Sequence, residues 1–134
     1  MKQSLIDTDI LSMFLRGNEK VKLNFEQYTR TYKNINFSII TYYEVLSGLR
    51  HRDANKQLDT FLRFASINTI LPLTTGSCEN SASIYADLRK KGTSVDDIDI
   101  LIAGIALENN MSIVTNNINH FDRIEGLEVY NWAK

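Results

Sequence analysis

Three acids, Asp7, Glu44 and Asp99, fall where apolar runs end or helical patterns begin, and amide oxygens recur at a matching place in Asn116-Asn117. Asp7 closes Leu5-Ile6. Glu44 follows Asn36-Phe37-Ser38-Ile39-Ile40 by a few residues, and Asp99 precedes Ile100-Leu101-Ile102-Ala103-Gly104. In open parallel sheets functional groups collect at the carboxyl ends of strands, so these positions are candidates for one shared rim. Two carboxylates about 4 Å apart at an effective dielectric near 20 repel by roughly 4 kcal/mol. A shared proton or a divalent cation must then resolve the repulsion, and no lysine adjoins any of the three in sequence. Hard oxygen donors without a histidine or thiolate partner favour Mg²⁺ or Mn²⁺ over zinc. Carboxylate-held Mg²⁺ or Mn²⁺ serves phosphate chemistry, which points to a nuclease or a phosphatase.

Each acid also has a structural reading. Asp7 or Thr8 could cap a first helix. Thr41-x-x-Glu44 and Ser94-x-x-Asp97 fit the capping-box pattern, and Asp96, Asp97 and Asp99 sit where first-turn acids favour a helix dipole by about 0.3–1 kcal/mol each. Only convergence on one rim would make them a chemical site. His51 and His120 lack metal-pair spacing and read as surface residues.

The elements that must position these groups follow from periodicity. Leu5-Ile6 reads as a short buried strand ending near Asp7, followed by a helix marked by Ile10, Leu11, Phe14 and Leu15 and stopped at Gly17. Residues 18–33 predict a second helix, 36–40 a strand, 41–48 a helix opening at Thr41, and 54–67 an amphipathic helix. Residues 69–73 predict a strand with the chain's only proline at its end. Residues 75–91 predict a helix closed by Lys90-Lys91-Gly92. Residues 98–107 are so uniformly apolar that a helix there would be buried all round, and 111–115 and 127–130 complete the strands. Strands alternating with helices, without hairpin signals, argue for a parallel sheet covered on both faces. Neither a linker nor a repeat interrupts residues 1–134, which read as a single domain.

At 134 residues and 43% hydrophobic, the chain can bury a sizeable core. Fifteen basic and sixteen acidic residues leave a net charge of −1, so no global attraction draws it to nucleic acid or anionic lipid. No apolar stretch reaches the length of a membrane span, and the first residues lack the apolar core of a signal peptide. The single Cys78 excludes an internal disulfide and a cysteine-rich zinc site. The expected compartment is the cytoplasm.

Five motifs in order carry a resemblance: Leu5-Ile6-Asp7-Thr8-Asp9; Thr41-x-x-Glu44-x-x-x-Gly48; Asp99-x-x-Ile102-Ala103; Val114-Thr115-Asn116-Asn117-x-x-x-Phe121; and Gly126-Leu127-x-Val129-x-Asn131-Trp132. Together they resemble the PIN-domain ribonucleases, and more narrowly the VapC toxins of prokaryotic toxin–antitoxin pairs. The resemblance implies a PIN-like three-layer α/β/α fold with a five-stranded parallel sheet, and a Mg²⁺- or Mn²⁺-dependent endoribonuclease. Position by position, Asp7 and Asp99 match the family's principal metal ligands. Glu44 matches the second acid, which helps hold metal or orient the attacking water, and Asn117 matches a fourth position in the catalytic set. Thr8 and Thr115 match small hydroxyl residues beside the acids that hydrogen-bond to them. Asp9 stands where asparagine is common, and His120 where an acid is usual, which makes one well-held ion the expectation. The resemblance further implies a dimer held inactive by a cognate antitoxin protein, and a structured RNA substrate, often tRNA, cut in a single-stranded loop. Arg50, Arg52, Arg89, Lys90 and Lys91 are candidate phosphate contacts.

Two other functions fit parts of the sequence. Leu5-Ile6-Asp7-Thr8-Asp9 also suits the opening of a haloacid-dehalogenase-like phosphatase, with a nucleophilic first aspartate. That family needs its later acidic pair right after a hydrophobic strand, whereas Asp96-Asp97 follows Lys90-Lys91-Gly92-Thr93-Ser94. A degenerate, non-catalytic PIN domain acting as a binding module would be expected to lack Asp7 or Asp99, and both are present.

Overall fold

The structure, a computed structural model, describes residues 2–134. Five short parallel strands alternate with six helices: β1 (Ser4–Ile6), α1 (Thr8–Leu15), α2 (Glu19–Tyr32), β2 (Asn36–Ser38), α3 (Ile39–His51), α4 (Asn55–Ser66), β3 (Thr69–Leu71), α5 (Thr75–Lys90), α6 (Asp97–Glu108), β4 (Ser112–Val114) and β5 (Val129–Tyr130). Strand order is β3-β2-β1-β4-β5, and every pairing is parallel. The chain builds outward from β1 to β3, then crosses back to place β4 on the other side of β1. That reversal makes the carboxyl ends of β1 and β4 the topological switch point, where open α/β sheets bind ligands.

The three inner strands β2, β1 and β4 are short but buried on both faces, which is why β1 and β4 read as apolar runs rather than as alternation, while β3 and β5 at the edges are half-buried. In β1, Ile6 packs with helices α1 to α4, while Leu5 faces the cluster built on α5 and α6; Val114 and Ile113 divide β4 in the same way. The result is three layers, as the periodicity implies. Helices α5 and α6 approach most closely at Gly104, where a Cβ would collide with the Ser81 side chain and lie 2.5 Å from the Ser77 carbonyl oxygen. Only glycine allows that contact. Trp132 closes the opposite layer against Phe25 and Tyr28.

Several boundaries differ from the sequence expectation, each for a local reason. Strand β2 stops at Ser38, whose hydroxyl accepts the Thr41 N–H and caps α3, so that helix begins at Ile39. Thr41-x-x-Glu44 is therefore not a capping box. Asp96, not Ser94, caps α6 by accepting the Ile98 N–H, so the second expected box is absent as well. Helix α6 is buried along its middle rather than all round: Ile98 is 39% exposed at the rim, and Leu101 and Leu107 are half-buried. The glycine stop of α5 stands, with Gly92 at φ +72° donating to the Arg89 carbonyl. Among the described residues no helix is long and apolar enough to cross a membrane.

Candidate active site

The first acid owes its place to the end of β1. Asp7 keeps its backbone in the sheet, donating its N–H to the Val114 carbonyl at 2.9 Å, before the chain turns into α1. One carboxylate oxygen accepts the Thr8 N–H at 2.9 Å, so Asp7 does cap that helix. The other accepts the Thr115 hydroxyl at 2.8 Å. The group is buried, at 6% exposure. Burial and the neighbouring Asp9, with Asp99 adding a smaller push against the opposing hydrogen bonds, raise its pKa to about 7. Asparagine or serine would cap a helix without this strain, so capping does not explain an acid here.

Residue Asp9, which the sequence reading named but gave no role, joins the same centre. Its carboxylate accepts the Ile10 N–H at 2.7 Å on one oxygen, and the Asn116 N–H at 3.0 Å and Asn117 side-chain amide at 3.2 Å on the other. Burial again pushes its pKa up. Asn117, expected as a fourth catalytic position, is thereby tied to Asp9, while its backbone N–H is donated to Thr115 Oγ1 at 3.0 Å. The aspartate two residues after Asp7 was the available signal. What the sequence could not show is that the β4 loop folds over it.

Glu44 reaches the site from the second turn of α3. Thr8 donates its hydroxyl to Glu44 Oε1 at 2.6 Å and lies 3.0 Å from the hydroxyl of Thr41, which is fully buried. Since Thr8 Oγ1 carries one proton and Glu44 only accepts, Thr41 must be the donor in the Thr8–Thr41 pair. The hydroxyls thus form a directed chain ending on Glu44. With the capping role removed by geometry, Glu44→Gln is expected to lose roughly tenfold or more in cleavage rate, because glutamine carries no charge for a cation and its amide can turn an N–H toward Thr8. Rate and thermal midpoint measured together check this, and near-wild-type cleavage would return Glu44 to a structural role.

Asp99 occupies the first turn of α6, and its Oδ2 lies 2.9 Å from His120 Nδ1. Burial raises its pKa, against the opposing pull of His120 and with further pushes from Asp96 and Glu44. His120, read from the sequence as a surface residue, keeps its side chain 47% exposed yet is paired with this acid through the single 3-10 turn Ile118–His120. The resemblance set His120 where an acid is usual, but with 21 residues between the partners the sequence did not show that it pairs with Asp99.

Of the expected phosphate contacts, Arg52 lines a cleft beside Thr8 and Glu44. Arg89 lies over the Tyr85 ring at 5.0 Å, and Lys91 pairs with Asp87 at 3.1 Å. Arg50 and Lys90 are exposed. His51 lies at the end of α3, Asp96 caps α6 and adds to the charge around Asp99, and Asp97 stands in the first turn of α6.

The donors suit a hard cation in chemistry, being carboxylate and amide oxygens, and an acid held near pKa 7 beside like charges is what such a set produces without a counter-ion. Among the described residues no three carboxylate, imidazole or thiol groups stand at ligating distance from one common point as placed. Glu44 is engaged by Thr8, and Asp99 by His120.

Comparison with known proteins follows this geometry. The family model of the PIN domain matches residues 4–127. The chain belongs to the PIN-domain family. Within that family, VapC ribonucleases are its relatives. It is 33% identical over 129 residues to Ribonuclease VapC1 of Rickettsia felis, covering 93% of this chain and 92% of that one. It is 31% identical over 135 residues to the tRNA(fMet)-specific endonuclease VapC of Salmonella typhimurium, covering 99% and 100%. The toxin chain fold recurs in the DNA-bound VapBC structure from Salmonella typhimurium, with TM-score 0.87, 28% identity and coverage of 98% and 99%. It recurs also in VapBC2 from Rickettsia felis bound to a promoter DNA fragment, with TM-score 0.85, 26% identity and the same coverage. The five-stranded PIN-like fold expected from the sequence is thus shown, and this PIN domain is of the VapC ribonuclease type.

Proposed function

We propose that this protein is a Mg²⁺- or Mn²⁺-dependent endoribonuclease, the toxin of a toxin–antitoxin pair, that cuts structured RNA, most specifically tRNA, in a single-stranded loop. The observation that carries this reading is the buried Asp7, whose carboxyl is pushed up to about 7 by burial and by Asp9 and Asp99, a strain that a bound divalent cation would relieve. Asp7, Asp99 and Glu44 would hold it, and Mg²⁺ or Mn²⁺ there supplies water activation and neutralises charge at phosphorus. Thr115 fixes the Asp7 carboxylate, Thr8 fixes Glu44, and Asp9 with Asn117 holds the β4 loop against the centre. Glu44, whose Oε1 accepts the Thr8 hydroxyl, would help hold the cation or orient the attacking water. The Salmonella relative's name supports tRNA as the substrate. The VapBC complexes among its structural relatives support a cognate antitoxin as partner, with a homodimer and cytoplasmic action as further expectations.

Hydrolysis of this kind breaks the bond from phosphorus to the ribose 3′ oxygen and leaves 5′-phosphate and 3′-hydroxyl ends. Purified protein should cleave tRNA with Mg²⁺ or Mn²⁺, fall to background in chelator, and work poorly with Ca²⁺, which takes more ligands at longer range. End-group analysis checks it. Cyclic 2′,3′-phosphate ends formed in chelator would mean histidine chemistry instead, and RNA binding without any cleavage would leave a non-catalytic module.

A further inference from the structure

Glu44 and its partner Thr8 line a cleft of about 520 Å³ between α1, α3 and the start of α4, within the range of about 300–1,000 Å³ that takes a drug-sized ligand. Resting on the ribonuclease reading above, we infer that this cleft is the track for the single-stranded RNA leading away from the scissile phosphate, with Arg16, Arg52 and Lys56 as its phosphate contacts.

Thr8, beside Asp7 at the start of α1, and Arg16, the C-cap of α1, both line the cleft together with Glu44. Eight residues of helix separate Thr8 from Arg16, about 12 Å of rise. That is several times the roughly 3.4 Å per nucleotide of a stacked strand. Arg52 is the C-cap of α3 and Lys56 lies in the first turn of α4, so three different elements deliver the three cations. Among the described residues none of the three forms an ion pair. Glu44 is the only acid lining the cleft, which therefore carries a local charge of +2 in a chain of net −1. Arg16 and Lys56 were not among the sequence candidates, because neither belongs to a basic cluster.

The floor explains Gly48. One turn after Glu44 on α3, it leaves the cleft open beside the acid, and a Cβ there would meet only the Arg52 guanidinium, at 3.5 Å. Leu15 and Ala54, half-buried in its wall, supply an apolar surface for a base, and Gln57 supplies amide donors and acceptors. A polyanion fits this better than a protein chain does, because any strand whose phosphate lies at the acids must continue past them.

The experiment is fluorescence anisotropy of a labelled 12-nucleotide single-stranded RNA, in chelator to prevent cleavage, across a salt series. Wild type is compared with Arg16→Gln/Arg52→Gln/Lys56→Gln, with Gly48→Met, and with Lys20→Gln/Lys22→Gln/Arg30→Gln on α2 as a control of equal charge. The cleft triple should lose about tenfold or more in affinity at low salt, and its log K against log salt slope should shrink by about 2, near 0.7 for each phosphate contact removed. Gly48→Met, which fills the cleft with a good helix former, should weaken binding without lowering the thermal midpoint. The α2 control should keep wild-type slope and affinity. Equal affinity and slope in the cleft triple and the α2 control would overturn the inference, as would absence of probe binding by wild type. A cleft triple that binds RNA normally but no longer binds a polyglutamate peptide would overturn it in favour of a protein partner. If wild type cleaves tRNA while the triple binds as wild type does, the cleft fails and the ribonuclease stands. If the triple loses RNA while wild type cleaves nothing with Mg²⁺ or Mn²⁺, the cleft stands and the ribonuclease fails.

Discussion

Asp7→Asn should abolish RNA cleavage and, without metal, make the protein more stable at neutral and alkaline pH. The activity loss is expected at about 10³-fold or more, since a ligand to a catalytic cation contributes several kcal/mol at the transition state and each 1.36 kcal/mol is about tenfold. The stability gain follows from linkage. Burial raises the Asp7 pKa in the folded protein from 3.8 to about 7, so the folded state holds its proton more tightly than the unfolded chain. The contribution to stability is fully present below about pH 4 and is lost as pH rises through 7. At roughly 1.4 kcal/mol per unit, a shift of this size is about 4 kcal/mol at most by pH 8. Asparagine keeps both contacts, accepting the Thr8 N–H and donating to Thr115, but has no charge to bury. Thermal midpoints of metal-free wild type and variant from pH 4 to 8.5 should therefore diverge as pH rises. A variant that cleaves at the wild-type rate refutes the assignment, and a midpoint lowered at every pH would make Asp7 a cap alone.

Asp99→Asn should be as damaging to cleavage, with a smaller gain in metal-free stability than Asp7→Asn. Asp99 stands in the first turn of α6, where a carboxylate gains about 0.3–1 kcal/mol from the helix dipole. It also draws on the hydrogen bond to His120, which an asparagine oxygen can still accept. Its pKa is raised by burial, but less decisively than that of Asp7, and His120 pulls the other way. The variant should thus lose activity by about the same 10³-fold while its metal-free midpoint rises at neutral pH by less than that of Asp7→Asn, within about 4 °C. Paired measurements of rate and midpoint check this. Retained cleavage would remove Asp99 from the site. The contrast between the two aspartates separates a ligand under electrostatic strain from one that also serves its helix.

The order of strands and helices was legible because both-face burial leaves an unmistakable pattern: Leu5-Ile6 and Ile113-Val114 are apolar runs too short for helices, and residues 98–107 too long for a strand. Asp7, Glu44, Asp99 and the Thr115–Asn117 segment were legible for the same reason, since a parallel sheet places whatever follows its strands on one rim. Capping was the point of failure. Thr41 and Glu44 have capping-box spacing, and only the hydrogen bond from the Thr41 N–H to the Ser38 hydroxyl shows that the helix starts a turn earlier and frees Glu44 to face Thr8. Sequence spacing states which residues share a helix face, not which end of the helix they occupy.

Residue types alone determined that this chain carries oxygen-rich, thiol-free chemistry on a parallel α/β sheet, because donor hardness and strand pattern are properties of the residues and their order. Only the tertiary structure decided the electrostatics. Asp9 and Asn117 are 108 residues apart, as are Asp7 and Thr115, and His120 meets Asp99 across 21. Whether an aspartate is a cap or a buried charge near pKa 7 depends on what the fold brings against it. The same holds for the cleft: Arg16, Arg52 and Lys56 are isolated in sequence or lost in a basic run, and they share a wall only because α1, α3 and α4 pack on one face of the sheet. Charge acts through space, and distance through space is what folding sets.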